Sequence, residues 1–377
     1  MMNEERRRFQ AFNRSRLLVF SLTATVGLWL ILEIIGLIAA WLGGEARRTA
    51  WWAFYSPHPY RAFALVPGRM ERLGCCSTNR LGLRGEDFAP AKSSETVRIV
   101  CMGASTTYSD IASTDSRAYP AQLQALLRSH YEAGSSTHGQ GGRATIAVEV
   151  LNAGVVAYDS VQVLVYFESK ILDFTPNIAL IEIGINEAIF LAACPEFESD
   201  YNHARSLFGP PAPLWWEHSP FLSLAMRRHA TAGNPYWPNQ ALGMHPFIWK
   251  PGAMVATTPE QAQERLRSGR CEAYARNIRN MIYVARGNGV APVLVTASHN
   301  PSDALMGPAV ESLNMKMREI AAAENVALLD LAERIPWNPD AFYDQCHLRD
   351  SPIGLAHKAK VVADFLIESR LIDDATK

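Results

Sequence analysis

The chain has 377 residues, more than one domain usually needs, so a principal domain with an appendage is expected. A net charge of -1 and an isoelectric point near 6.8 exclude the basic footprint of a nucleic-acid binder. The six cysteines, Cys75, Cys76, Cys101, Cys194, Cys271 and Cys346, lack the paired spacing of a zinc site, so neither a metal nor any other cofactor is assigned.

The run 17–44, which opens on Leu17 and closes on Gly44, is almost wholly apolar, and Glu33 is its only charge. A bilayer crossing needs about 20 such residues, and the apolar core of a cleaved secretory signal is only about 7–15 long. The run is therefore expected to be an uncleaved transmembrane anchor. Residues 1–16 form a basic segment with Arg6, Arg7, Arg8, Arg14 and Arg16, which predicts a cytoplasmic amino terminus and puts the rest of the chain outside, in the periplasm if the source is bacterial. Glu33 is expected to approach the outer interface by a shift or tilt of the helix, because no second span exists to partner it.

Residues 45–96 read as a membrane-proximal connector with short strands, rich in aromatics, Pro and Arg. Trp51, Trp52 and Tyr55 suit either the headgroup level or a cover over the following domain. From residue 97, short β-branched runs (97–102, 146–151, 178–183, 292–296 and 326–329) alternate with segments of helical period (121–130, 161–172, 273–288, 309–324 and 355–369). Nearly continuous apolar strands with helical crossovers predict an α/β domain, residues 97–372, with a five-stranded parallel sheet between two helical layers.

One stretch, residues 191–270, breaks this alternation with Pro210-Pro211, Trp215-Trp216, Tyr236-Trp237-Pro238 and Trp249. A long aromatic-rich insertion in a compact domain is expected to be a lid that roofs a site, the plainer alternative being a cover for the sheet end. Cys194 and Cys271 bracket it. They would close it by a disulfide in an oxidising compartment or else remain buried thiols.

Open parallel sheets bind ligands beyond the carboxyl ends of their strands. Four polar clusters fall there: Gly103-Ala104-Ser105-Thr106, Asn152-Ala153-Gly154, Gly184-Ile185-Asn186 and Asp344-Gln345-Cys346-His347. A serine hydroxyl needs a base, which His347 supplies, and a base needs a carboxylate to fix its tautomer, which Asp344 supplies three residues earlier. The backbone N–H of Ser105, the N–H of Gly154 and the amide of Asn186 are candidate oxyanion donors, each able to lower a barrier by roughly 3–4 kcal/mol. His299, after the fourth strand, is a candidate substrate contact at the pocket rim, and Cys346 is expected to pack. A Gly-x-Ser-x-Gly elbow is absent because Thr107 replaces its second Gly.

At these residues the chain resembles the SGNH (GDSL-type) hydrolase superfamily, whose blocks supply Ser, Gly, Asn and His in this order; the resemblance spans residues 97–369 and implies a flavodoxin-like fold. It implies Ser105 as nucleophile, Gly154 and Asn186 as oxyanion donors, and Asp344 and His347 as the other triad members. Ala104, Glu187 and Ala157 depart from the family pattern without removing a reacting group. The stretch Asn79-Arg80-Leu81-Gly82-Leu83-Arg84-Gly85 is similar to a segment of membrane-linked members and is assigned no catalytic role.

The expectation is a membrane-anchored serine esterase acting on an ester-bearing small molecule, glycan or lipid. Acyl transfer to a polysaccharide hydroxyl, or a non-catalytic glycan-binding or assembly role on the same fold, remain as alternatives.

Overall fold

In the computed structural model the described residues are 2–42, 55–58, 60–69, 76–136, 146–194, 197–200, 219, 221–222, 257–267 and 271–376. They belong to two compact units, one of residues 1–49 and 212–245, the other of residues 50–211 and 246–377.

The first unit is dominated by helix α1 (Met2–Leu42). Its stretch Ser15–Ala39 has a mean hydropathy of 2.1 and is long and apolar enough to cross a membrane. Thr23 and Thr25 return their hydroxyls to the carbonyls of Val19 and Ser21, so neither leaves a donor unmet in an apolar surround. The arginines of the expected basic flank before Ser15, and Trp51 and Trp52, lie outside the residues whose side chains are described.

In the second unit β1 (Tyr55–Pro57) and β2 (Phe63–Leu65) pair antiparallel. Tyr55 is buried edge-on against Phe63, with ring centroids 5.2 Å apart, so this ring covers the domain instead of lying at headgroups. The chain then runs through β3 (Thr96–Gly103), a short helix α2 (Ser105–Tyr108), α3 (Tyr119–Ser136), β4 (Ala147–Gly154), α4 (Ser160–Ser169), β5 (Ile178–Glu182) and α5 (Ile185–Ala193). Within the end of the insertion lies α6 (Pro259–Arg267), and after it come α7 (Cys271–Gly287), β6 (Ala291–Val295), α8 (Met306–Glu324), β7 (Ala327–Leu329), α9 (Leu331–Arg334), α10 (Leu355–Glu368) and α11 (Leu371–Asp374).

The five strands β3 to β7 form one parallel sheet in the order β4-β3-β5-β6-β7. Side chains alternate across it. Val100, Met102, Ala179, Ile181 and Leu294 face one core with residues of α4, α7 and α8, while Ile99, Cys101, Ile178, Leu180 and Val293 face a second core with residues of α3 and α10. Burial on both faces is why these strands read as apolar runs instead of an alternating pattern. The three-layer α/β/α architecture expected from the sequence is the one observed.

Cys194 and Cys271 are both free thiols, so the disulfide that their spacing left open is not formed. Burial raises the Cys194 thiol to about 11, which makes it an inert packing group. The Pro and Trp clusters of the insertion lie outside the described residues.

Candidate active site

The strand register at the sheet's carboxyl edge sets the geometry: Gly103 is level with both Gly154 and Glu182. Ser105 opens α2 immediately beyond β3 and is buried. Its Oγ lies 2.7 Å from His347 Nε2, across some 240 positions of sequence. The other ring nitrogen, Nδ1, lies 2.8 Å from Asp344 Oδ2. Asp344 Oδ1 also accepts the backbone N–H groups of Cys346 and His347, at 2.9 and 2.8 Å, so the turn that carries the histidine is folded around the carboxylate.

Burial pushes the Asp344 carboxyl up, but its bonds to His347 and to the two backbone N–H groups outweigh this and hold it at about 2. Burial pushes the His347 imidazole down, and the hydrogen bond to Asp344 reverses that, leaving it well above the ordinary histidine value. The pair therefore stabilises the charged ring. For folding, the raised imidazole adds stability that is complete below the ordinary histidine range and is lost as pH rises through its folded value; the lowered Asp344 adds stability above about 4 that is lost as pH falls towards 2.

Gly154 ends β4 with the backbone of Tyr108 directly over it, and a Cβ there would stand 2.2 Å from the Tyr108 nitrogen. Only glycine fits this crossing. Its N–H is donated to Asn152 Oδ1 at 3.1 Å, so an oxyanion would compete with Asn152 for that donor. Asn186, in the first turn of α5, is buried and donates one amide hydrogen to the Tyr158 carbonyl at 2.8 Å; its second amide hydrogen makes no hydrogen bond among the described residues. His299 is buried, with Nδ1 3.2 Å from the Ala297 carbonyl and no partner at Nε2. It is not bonded to Ser105 or His347. Its neighbour Asn300 instead stitches the loop after β6 to the turn that carries His347, through Gln345, at 2.8 and 2.6 Å.

Several residues that the sequence did not single out hold this arrangement. Glu182 and Lys358 form a buried ion pair at 2.7 Å; Thr107 donates to Glu182 at 3.0 Å and Lys358 to the Thr106 carbonyl at 3.2 Å. Together they fasten the turn that carries Ser105 to β5 and α10. Arg84, from the stretch assigned no catalytic role, is buried and donates to the carbonyls of Tyr108 and Ser109, each at 2.8 Å, which fixes the far end of α2. Ala157 adopts φ 64°, the left-handed region where glycine is unstrained, at the position where the family pattern has a second Gly.

Solved structures similar to this chain are those of GDSL-type lipases and esterases. A lipase/acylhydrolase from Enterococcus faecalis is 15% identical with a TM-score of 0.40, over 72% of this chain and 96% of that one. An acetylxylan esterase from Geobacillus stearothermophilus is 14% identical with a TM-score of 0.39, over 73% and 94%. A GDSL-like lipase from Bacteroides thetaiotaomicron is 13% identical with a TM-score of 0.36, over 75% and 91%. No protein-family profile matches the chain, and no curated protein matches it.

Asp344, Cys346 and His347 bring ligand atoms within 4.8 Å of one another, a cluster by proximity. Its imidazole Nδ1 is already bonded to the carboxylate, so a metal there would take apart the Asp344–His347 contact. A groove of about 1030 Å³ lies elsewhere, along the β4 edge, and neither Ser105 nor His347 lines it.

Next to Asn186 in the chain, Glu187 forms an acidic pair with Asp159. Glu187 accepts the Ser160 N–H, and Asp159 caps α4 by accepting from Gln162 N at 2.9 Å. Both are fully buried, and one oxygen of each, Glu187 Oε2 and Asp159 Oδ2, has no partner. Burial raises both carboxyls; the charge of Asp159 raises Glu187 further, and that of Asp200 raises Asp159. The folded protein then holds more protons than the unfolded chain between the ordinary carboxylate range and neutrality, so stability falls as pH rises through that window. Glu187→Gln should flatten the fall. The check is the melting temperature of variant and wild type at pH 5 and pH 8: the difference should move in favour of the variant at pH 8, and an unchanged difference refutes the raised carboxyl.

Proposed function

We propose that the chain is a membrane-anchored serine acyl hydrolase acting on an ester of a small molecule, glycan or lipid. The observation that carries this reading is the unbroken chain of contacts from Ser105 Oγ through His347 to Asp344, at 2.7 and 2.8 Å. In this reading Ser105 Oγ attacks the ester carbonyl while its proton passes to His347 Nε2. The resulting imidazolium is stabilised by Asp344. Negative charge on the carbonyl oxygen is met by the N–H of Ser105, the N–H of Gly154 and the free amide hydrogen of Asn186. His347 returns its proton to the leaving alcohol, then deprotonates a water that releases the acyl group and restores Ser105.

His347 works as a base only when neutral. Because Asp344 raises it, the acid limb of the pH–rate profile should lie above the ordinary histidine value. The anchor reading rests on the apolar helix, and the arginines before it support a cytoplasmic amino terminus with the α/β domain outside.

The test is labelling of the full chain by an activated fluorophosphonate together with turnover of an acetyl aryl ester. Both are expected in the wild type. Both should vanish in Ser105→Ala, with turnover down at least about a thousand-fold. Turnover that survives this substitution sinks the proposal.

A further inference from the structure

Glu33 is the one charge in an otherwise apolar run, and a carboxyl within hydrocarbon must have its polar groups met. The first unit meets them from inside the chain. Glu33 Oε1 accepts from the Ser219 hydroxyl, Oε2 accepts the Phe221 N–H at 3.1 Å, and Ser219 Oγ in turn accepts the Leu222 N–H at 3.0 Å. The expectation that Glu33 has no partner therefore fails: the partner is a turn of the insertion, not a second span.

Two further residues of α1 meet the same turn. Trp29 and Phe221 are edge-on, with centroids 6.3 Å apart at 85°. Gly36 admits the Phe221 backbone, since a Cβ there would stand 2.7 Å from both its Cα and its nitrogen. Positions 29, 33 and 36 are spaced four and three apart and so share one helix face. Gly36 is buried while its neighbours Ile35 and Leu37 are more than half exposed, which marks a notch at this position of the helix.

We infer that Ser219, Phe221 and Leu222 form a latch that seats this part of the insertion on the anchor helix, with Glu33 as its acceptor and Gly36 as its floor. From Glu33 to Ala39, where the apolar stretch ends, the helix rises about 9 Å, so the latch reaches below the membrane surface. Such a turn is tolerated there because its hydroxyl and the N–H groups of Phe221 and Leu222 are bonded within protein. The inference rests on the membrane-anchor reading and is independent of the acyl chemistry.

The test uses the full chain in membranes with photoreactive benzoylphenylalanine in place of Trp29, and cross-linked peptides are mapped by mass spectrometry. An intrachain cross-link to residues 219–222 is expected. Glu33→Leu and Gly36→Leu, which both keep the span apolar, should each lower its yield at least ten-fold. A cross-link only between two chains, or a yield unchanged in both variants, overturns the latch. Aryl-ester turnover is read in parallel and should persist in both variants; its absence from the wild type would sink the hydrolase reading and leave the cross-link result standing.

Discussion

Asp344→Asn is expected to lower kcat by about 10⁴-fold on a soluble aryl ester while KM changes little. The reason lies in the two unequal oxygens of this carboxylate. Oδ1 accepts the backbone N–H groups of Cys346 and His347 and lies 3.0 Å from His347 Nδ1, whereas Oδ2 has no backbone donor and is the nearer to Nδ1, at 2.8 Å. An asparagine has one acceptor, and the two backbone donors will claim it at the Oδ1 position. Its NH₂ then takes the position nearer to Nδ1 and favours that nitrogen as an acceptor, which moves the ring proton to Nε2. A protonated Nε2 cannot take the proton of Ser105, 2.7 Å away. The substitution removes the base by choosing the wrong tautomer, with the backbone of the turn unchanged. It also removes the charge that raises His347, so the acid limb of the residual activity should move down in pH. Kinetics across pH check both effects, and an unaltered kcat would mean that Asp344 does not orient the base.

The fold was legible because the central strands β3 and β5 are buried on both faces along their whole length and the others over part of theirs, which leaves a compositional mark. The expected strand 97–102 is observed as Thr96–Gly103, and the expected helix 355–369 as Leu355–Glu368. Arg98 shows where such reading stops. It sits within that first strand yet is fully buried, donating to Glu149 and to the carbonyls of Ala89, Pro90 and Phe174. Its tolerance depends on partners that only the tertiary fold assembles. The same holds at the site. Ser105, Asp344 and His347 stand out because a hydroxyl, an imidazole and a carboxylate at the carboxyl ends of strands form a recognisable chemical set. Arg84 does not, because its work is to occupy the backbone carbonyls of Tyr108 and Ser109 from a remote part of the chain; Asn152 lies in a cluster the sequence marks, but its bond to the Tyr108 carbonyl, 44 positions away, is visible only in the fold. Glu33 is a third kind of case: its chemistry was plain in the sequence, but its partner lay about 190 residues away in a segment with no periodicity.

Lys358→Met is expected to destabilise the α/β unit by about 3–5 kcal/mol, the usual cost of stranding one member of a buried ion pair. Both partners are nearly inaccessible, with side chains 2% and 4% exposed, so water cannot screen the Glu182 charge that remains. The lysine also donates to the Thr106 carbonyl and lies 4.2 Å from the centre of the Tyr119 ring, and methionine replaces neither contact. By contrast, Lys360 and Asp364 on the same helix are 64% and 44% exposed, and Lys360→Met should cost less than about 1 kcal/mol. A companion Glu182→Gln removes the stranded charge while keeping an acceptor for Thr107, 3.0 Å away. The double variant should therefore recover part of the loss, and the cycle measures the coupling directly. Denaturant unfolding of the four proteins, read on the α/β unit, supplies the numbers. Equal stability of Lys358→Met and wild type would show that the pair is dispensable to the fold. A large loss recovered by Glu182→Gln would show that the charge, and not the volume of the lysine, is what the turn carrying Ser105 requires.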